Sequence, residues 1–199
     1  MSRVAYVNGV YQPHSQAVIH VEDRGFQFAD GVYEVWSVFD GRLADFDGHL
    51  TRLKRSLTEL KIDIPMSDGA LSRVLAETIR RNRVRTGIVY LQVTRGVAER
   101  DFLIRPGAAP GIVLFTQSRA LVESPAARTG IRVVSRPDLR WGRRDIKTVQ
   151  LLAASLAKSE AVAAGADDAW LVEDGFVTEG TSNNAYIVAG GAIVTRALS

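Results

Sequence analysis

The stretch Gly87-Ile88-Val89-Tyr90-Leu91-Gln92-Val93-Thr94-Arg95 constrains the fold more than any other, because it is apolar on both faces. A strand of that kind belongs in the middle of a sheet, covered on both sides. The cover is legible upstream. Leu50, Leu53, Leu57 and Leu60 recur at helical spacing, which predicts a helix over 47–61 with one apolar stripe, stopped by Pro65. Ser67 then caps a second helix in which Leu71, Val74, Leu75 and Ile79 share a face.

Residues 4–7 and 10–12 flank Asn8-Gly9, the signal of a type I′ hairpin, and 17–21 alternate like another strand. Residues 22–35 form a loop rich in Gly and Asp that runs into a strand. A loop over 95–110, broken by Gly96, Pro106, Gly107 and Pro110, precedes a strand at 111–116. Further on come a strand at 131–135, an amphipathic helix over 148–165, a hairpin turning at Asp174-Gly175, a strand at 185–188 and a second hairpin turning at Gly190-Gly191. The pattern is α+β with two lobes: a small N-terminal lobe over 1–118, a linker over 119–129, and a C-terminal, β-rich lobe over 130–199. One helix is thin cover for that many strands, so the second lobe is expected to be truncated at residue 199.

A chain of 199 residues can bury about 70% of its unfolded surface without staples. It has no cysteine, which excludes disulfides, Cys-ligated metal sites and thiol catalysis. No apolar run approaches the roughly 20 residues of a membrane span, and the N-terminus lacks the apolar core of a secretion signal, so a cytoplasmic protein is expected. The net charge is +3, with two basic clusters, Arg80 to Arg85 and Arg136 to Lys147. Nucleic-acid binding would want stacking aromatics beside them; the first cluster has none and the second only Trp141. His14, His20 and His49 lie far apart without ligand spacing, so no metal site is expected.

What remains for chemistry is a lysine, a glutamate and several arginines. Lys147 stands at the junction between an irregular segment and the helix predicted after it, where a side chain can be rigid and still face a cavity. A lysine is ordinarily a solvated surface charge. Glu179 precedes Gly180-Thr181-Ser182-Asn183-Asn184, small residues whose successive N–H groups can cradle an anion. That pair would suit a heteroaromatic phosphate, although a polar hairpin end would look the same.

Several stretches together resemble the class IV, or fold-type IV, pyridoxal-phosphate aminotransferases, and within them the D-amino acid transaminases. They are Glu22-Asp23-Arg24-Gly25 with Gly31-Val32-Tyr33-Glu34, His49-Leu50-Thr51-Arg52-Leu53, Val93-Thr94-Arg95-Gly96, Asp145-Ile146-Lys147, and Thr178-Glu179-Gly180 with Asn184. They are colinear over nearly the whole chain. The resemblance implies pyridoxal 5'-phosphate as cofactor and Lys147 as the Schiff-base lysine and proton carrier. Glu179 would pair with the pyridinium nitrogen, Arg52 with the phosphate, and Thr181, Ser182 and Asn183 would line the cofactor. Tyr33, Arg100, Phe102 and Trp141 would face the substrate, with Arg100 reaching across a homodimer. Arg143 and Arg144 would help keep Lys147 neutral.

Two departures stand against the pattern. The D-amino acid transaminases have a histidine two positions after the carboxylate-binding arginine, where this chain has Phe102. Family members also continue past this length with a segment that supplies a further phosphate-binding turn, so residues 1–199 alone are expected neither to hold the cofactor tightly nor to turn over. The implied reaction is amino transfer between D-amino acids and 2-oxo acids. The alternatives are a branched-chain L-amino acid aminotransferase, an (R)-selective amine transaminase, an aminodeoxychorismate lyase, and an inactive or binding-only fragment.

Overall fold

The computed structural model describes residues 3–123 and 125–196. They divide into two units, Met1–Val122 with Ile146–Val149, and Glu123–Asp145 with Gln150–Ser199.

In the first unit, β1 (Val4–Val7) and β2 (Val10–Pro13) form the expected hairpin. Asn8 and Gly9 take φ of 47° and 96°, the left-handed pair that a type I′ turn requires. The strand expected over 17–21 is absent: His14–Gln16 is a single 3-10 turn, and the residues after it join no sheet. Val18 and Val21 are exposed, so the alternation there had no buried face to specify it. The loop expected over 22–35 contains a short helix, α1 (Arg24–Phe28), capped by the Asp23 carboxylate on the Gly25 amide. Then follow β3 (Gly31–Phe39), β4 (Arg42–Leu43), α2 (Phe46–Leu60), α3 (Asp68–Asn82), β5 (Gly87–Thr94) and β6 (Gly111–Ser118).

The six strands make one sheet in the order β2-β1-β6-β5-β3-β4, antiparallel throughout. Helix α2 packs on β3, and α3 on β1 and β6. Val89, Leu91 and Val93 of β5 are buried with Val32, Trp36 and Val38 of β3 and with the leucine stripes of both helices. Each such side chain contributes about 1.5–3 kcal/mol. β5 takes the central place expected of it, between β6 and β3, but its two faces are covered unequally. Tyr90 and Gln92 are only half-buried, and the second face carries a row of rings, Tyr33 on Tyr90 at 5.7 Å and Tyr90 on Phe115 at 4.8 Å.

Helix α2 also ends before Pro65. Lys61 turns left-handed at φ 53°, and the Arg95 guanidinium donates to the Leu60 and Lys61 carbonyls at 2.8 and 2.9 Å. Arg95 is buried and also holds Asp30, which Arg24 shares, at 2.8 Å each. In the first basic cluster, Arg80 and Arg81 pair with Glu77, and Arg85 with Asp40.

The second unit contains α4 (Pro125–Thr129), β7 (Val133–Pro137), α5 (Leu152–Ala163), β8 (Asp168–Glu173), β9 (Phe176–Gly180), β10 (Tyr186–Ala189) and β11 (Ala192–Thr195). The first of these lies inside the expected linker, and β7 starts two residues later than predicted. β7 and β8 are parallel and joined through α5; β9 returns antiparallel, and β10 and β11 form a separate hairpin. The helix predicted over 148–165 begins only at Leu152. Its buried stripe is Ala154, Ala157 and Ala161, whereas Leu152 and Leu156 are exposed. Small residues bring α5 close to β8, where Ala157, Ala161, Ala166, Ala169 and Leu171 form the core with Val134.

Arg95→Met would strand Asp30 beside Arg24 alone and free two helix-end carbonyls. Removing one partner of a buried charge pair costs about 3–5 kcal/mol. The expected outcome is a urea midpoint lowered accordingly at neutral pH. An unchanged midpoint would show that Arg95 does not hold α2 and α1 together.

Candidate active site

In the first unit, Ile146–Val149 is an extended segment lying along the start of β3. Tyr33 N–H donates to the Lys147 carbonyl at 3.0 Å, Val149 N–H donates to the Gly31 carbonyl at 3.2 Å, and Thr148 bridges Val32. The Lys147 amide donates to Ser56 Oγ of α2 at 3.3 Å. Ile146 and Thr148 are buried, and Lys147 is half-buried between them. Strand geometry sends neighbouring side chains to opposite sides, so burying both neighbours turns Lys147 the other way. The helix-junction placement expected for it is thereby corrected: four residues separate it from α5, and the backbone of β3 fixes it.

Lys147 Nζ lies 3.3 Å from Tyr33 Oη and 4.4 Å from the centre of that ring. Tyr33 is steadied by its stack on Tyr90, whose phenol burial pushes up to about 12; it stays protonated and donates to Gln92 Oε1 at 2.8 Å.

The next residue of β3, Glu34, points into the helix-covered side and is fully buried. It accepts two bonds from Arg52, Nε at 2.6 Å and Nη2 at 2.8 Å, and lies 2.8 Å from His49 Nδ1. Hydrogen bonding to Glu34 raises the Arg52 pKa against the opposing effect of burial. The pair uses Nε and Nη2, and the Arg52 side chain is 46% exposed, so its Nη1 side remains for an anion.

In the second unit, Glu179 is the penultimate residue of β9, its side chain 44% exposed and paired with Arg140 Nη1. Arg140 is held in turn by the buried Asp138 through Nε at 2.9 Å and Nη2 at 2.8 Å. Asp138 also accepts from Arg144 at 2.8 Å and from Thr178 Oγ1 at 2.7 Å. Burial alone would raise the Asp138 pKa, but the bonds from Arg140 and Thr178 outweigh it and hold the group well below the usual carboxylate range.

The other expected residues fall as follows. Thr181 and Asn183 turn their side chains onto Asp168, while Ser182 between them is exposed. Arg100 stacks on Phe28 at 4.9 Å and on Phe102 at 5.8 Å, and Phe102 is 83% exposed. Trp141 is half-buried. Arg143 bonds Asp145 at 2.9 Å, and Arg144 bonds Asp138 and Glu173, so the cations expected to act on Lys147 are themselves engaged by carboxylates. Sequence reasoning gave no role to Glu34, His49, Ser56, Asp138, Arg140 or Asp168. His49 and Arg52 stand three apart on one helix, which was a usable signal; Glu34 lay in a family stretch and Arg140 in a basic cluster, and nothing marked Ser56, Asp138 or Asp168.

Taken unit by unit, the donors suit a flat, anionic aldehyde: the first unit offers an amine fixed on a strand and a half-exposed guanidinium, and the second offers a carboxylate near a strand end. Gly180 adds a steric observation, since a Cβ there would lie 2.1 Å from Asn183 Oδ1 and would require the Asn183 amide to move.

A family profile described as amino-transferase class IV matches residues 31–199. The D-alanine aminotransferase of Bacillus licheniformis is 39% identical over 189 residues, covering 95% of this chain and 66% of that protein. The branched-chain amino acid aminotransferase of Escherichia coli shares the fold at a TM-score of 0.88 and 18% identity, covering 98% of this chain and 68% of that one. A branched-chain amino acid aminotransferase from T.th., in complex with N-(5'-phosphopyridoxyl)-L-glutamate, superposes at a TM-score of 0.84 with 24% identity, covering 98% and 67%. The chain thus spans about two thirds of the length of the proteins it matches.

The Asp138 cluster sets an acid limit. Its folded-state pKa lies below that of the unfolded chain, so the stabilisation is complete above about pH 4–5 and drains away as pH falls further. Urea midpoints measured from pH 6 down to pH 3 should fall for the unsubstituted chain. Asp138→Asn should start about 3 kcal/mol lower at pH 6 and fall less steeply; parallel curves would contradict this.

Proposed function

The chain belongs to the class IV aminotransferase family, and on that premise we propose that it transfers amino groups between D-amino acids and 2-oxo acids with pyridoxal 5'-phosphate carried on Lys147. The observation that carries the reading is Lys147 itself, an amine held by β-type bonds to β3 with Tyr33 Oη 3.3 Å away. The choice of D-amino acids rests on the relative at 39% identity, a D-alanine aminotransferase.

When bound, the cofactor supplies an aldehyde that takes up an amine and a ring that draws electrons from the substrate α-carbon. Lys147 would hold the cofactor, then as a free amine remove the α-proton and return it one position along, a general-base role contributing about 10²–10⁴-fold. Tyr33 would keep Nζ in place by hydrogen bond and ring contact. Arg52, braced by Glu34, would bind the phosphate. Glu179 would accept from the protonated ring nitrogen, with Arg140 paired beside it. In the Gly180–Asn183 turn, Ser182 and backbone amides would face the cofactor, because Thr181 and Asn183 are occupied by Asp168.

Tyr33, Arg100, Phe102 and Trp141 are proposed to meet the substrate. Arg100 would serve the carboxylate from across a homodimer; the exposed apolar side chains Phe26, Val97, Phe102, Leu103 and Ile104 of the first unit support such an association. The setting proposed is the cytoplasm. A second reading, transamination of branched-chain L-amino acids, is favoured by Phe102, which offers no hydrogen bond where the D-amino acid enzymes have a histidine.

Borohydride reduction in saturating pyridoxal phosphate, followed by peptide mapping, should place a pyridoxyl group on Lys147, and Lys147→Ala should lose it. Half-reactions with D-alanine, D-glutamate, L-leucine and (R)-phenylethylamine should favour the D-amino acids. Product from L-leucine alone would replace the substrate assignment, and a pyridoxyl group mapped elsewhere would remove Lys147 from its role.

A further inference from the structure

Asp168, the first residue of β8, is buried and ionisable, and none of the chemistry above uses it directly. Its carboxylate accepts from Thr181 Oγ1, from Asn183 Nδ2 at 2.9 Å, from Lys158 Nζ at 3.2 Å and from the Ala169 amide at 2.8 Å. Burial opposes its ionisation, but the bond from Thr181 and then those from Ala169, Lys158 and Asn183 prevail and lower its pKa. Four donors on one carboxylate satisfy its acceptor sites about as fully as a folded chain can.

The placement follows from sheet register. β8 and β9 pair Leu171 with Glu179 and Trp170 with Gly180, and there the backbone ladder stops. Asp168 lies two residues further along β8, so its side chain takes over where backbone bonds end and ties down the turn that follows Gly180. The turn is closed again by the Gly180 N–H, which donates to the Asn183 carbonyl at 2.8 Å. On the other side of Glu179, Thr178 Oγ1 donates to Asp138 at 2.7 Å. Glu179 therefore sits between two anchored residues, Thr178 and Thr181, each gripped by a buried carboxylate.

We propose that Asp168 is a positioning residue: by locking the Gly180–Asn183 turn it fixes the direction in which Glu179 leaves β9 and so sets how well the chain holds a protonated ring nitrogen. The inference rests on the role proposed for Glu179. Lys158 is a neutralising partner, since its ion pair is with Asp168 itself.

The test combines hydrogen exchange of the unloaded chain with cofactor binding. In Asp168→Ala, amides of the Gly180–Asn183 turn should exchange about tenfold faster while peptides of α5 and β7 keep their protection. The dissociation constant for pyridoxal phosphate should rise about 10–100-fold, as for outer-shell partners of metal ligands. The visible band of the bound cofactor should change its pH dependence, which simple loss of stability would not cause. Lys158→Met should change none of these. Because Asp168→Ala could unfold the second unit, Thr181→Val with Asn183→Ala, which leaves Asp168 and Lys158 in place, should reproduce the same three changes. Turn exchange equal to that of the unsubstituted chain overturns the proposal, as does faster exchange with unaltered affinity and band. If the unsubstituted chain itself yields no pyridoxyl group on Lys147, the functional reading fails first, and this role for Asp168 falls with it.

Discussion

The bond between the Tyr33 amide and the Lys147 carbonyl, with its companion from Val149 to Gly31, is what fixes Lys147 in the first unit. A lysine side chain has enough rotatable bonds to wander, and only its backbone can be fixed cheaply. Here the backbone is fixed by strand pairing, and the buried Ile146 and Thr148 leave the amine one direction to point. Tyr33 then does two things at once: its amide anchors the segment and its hydroxyl meets Nζ. The segment comes from far along the chain, so the place of Lys147 depends on β3 being in the sheet.

Charge is managed the same way in both units. Glu34 holds Arg52, Asp138 holds Arg140 and Arg144, Asp30 joins Arg24 and Arg95, and Asp168 gathers a turn. Buried ion pairs add little net stability, since desolvation offsets most of the attraction. Their physical effect is directional. A bidentate guanidinium–carboxylate pair fixes a plane, so Arg52 presents its remaining edge, and Glu179 its carboxylate, without a search through rotamers.

Much of the fold was legible because periodicity reports burial directly. The leucines of α2, the apolar face of α3 and the Asn8-Gly9 turn each follow from a local rule, and each is found where the rule puts it. The failures have one cause, which is that a pattern cannot say what lies opposite. Residues 17–21 alternate but have no neighbour; α2 ends on Arg95 before Pro65 can act; the apolar stripe of α5 is alanine because the leucines face outward. In the site, Lys147, Arg52 and Glu179 carried a family pattern. Asp138, Arg140 and Asp168 did not, since their meaning comes from partners many residues away.

Lys147 is proposed to carry the cofactor of this chain. A crystal structure of the chain grown with pyridoxal phosphate tests it most directly. The expected result is continuous density from Lys147 Nζ into the cofactor, with the phosphate on Arg52. Cofactor bound elsewhere, with Lys147 still resting on Tyr33, would contradict it.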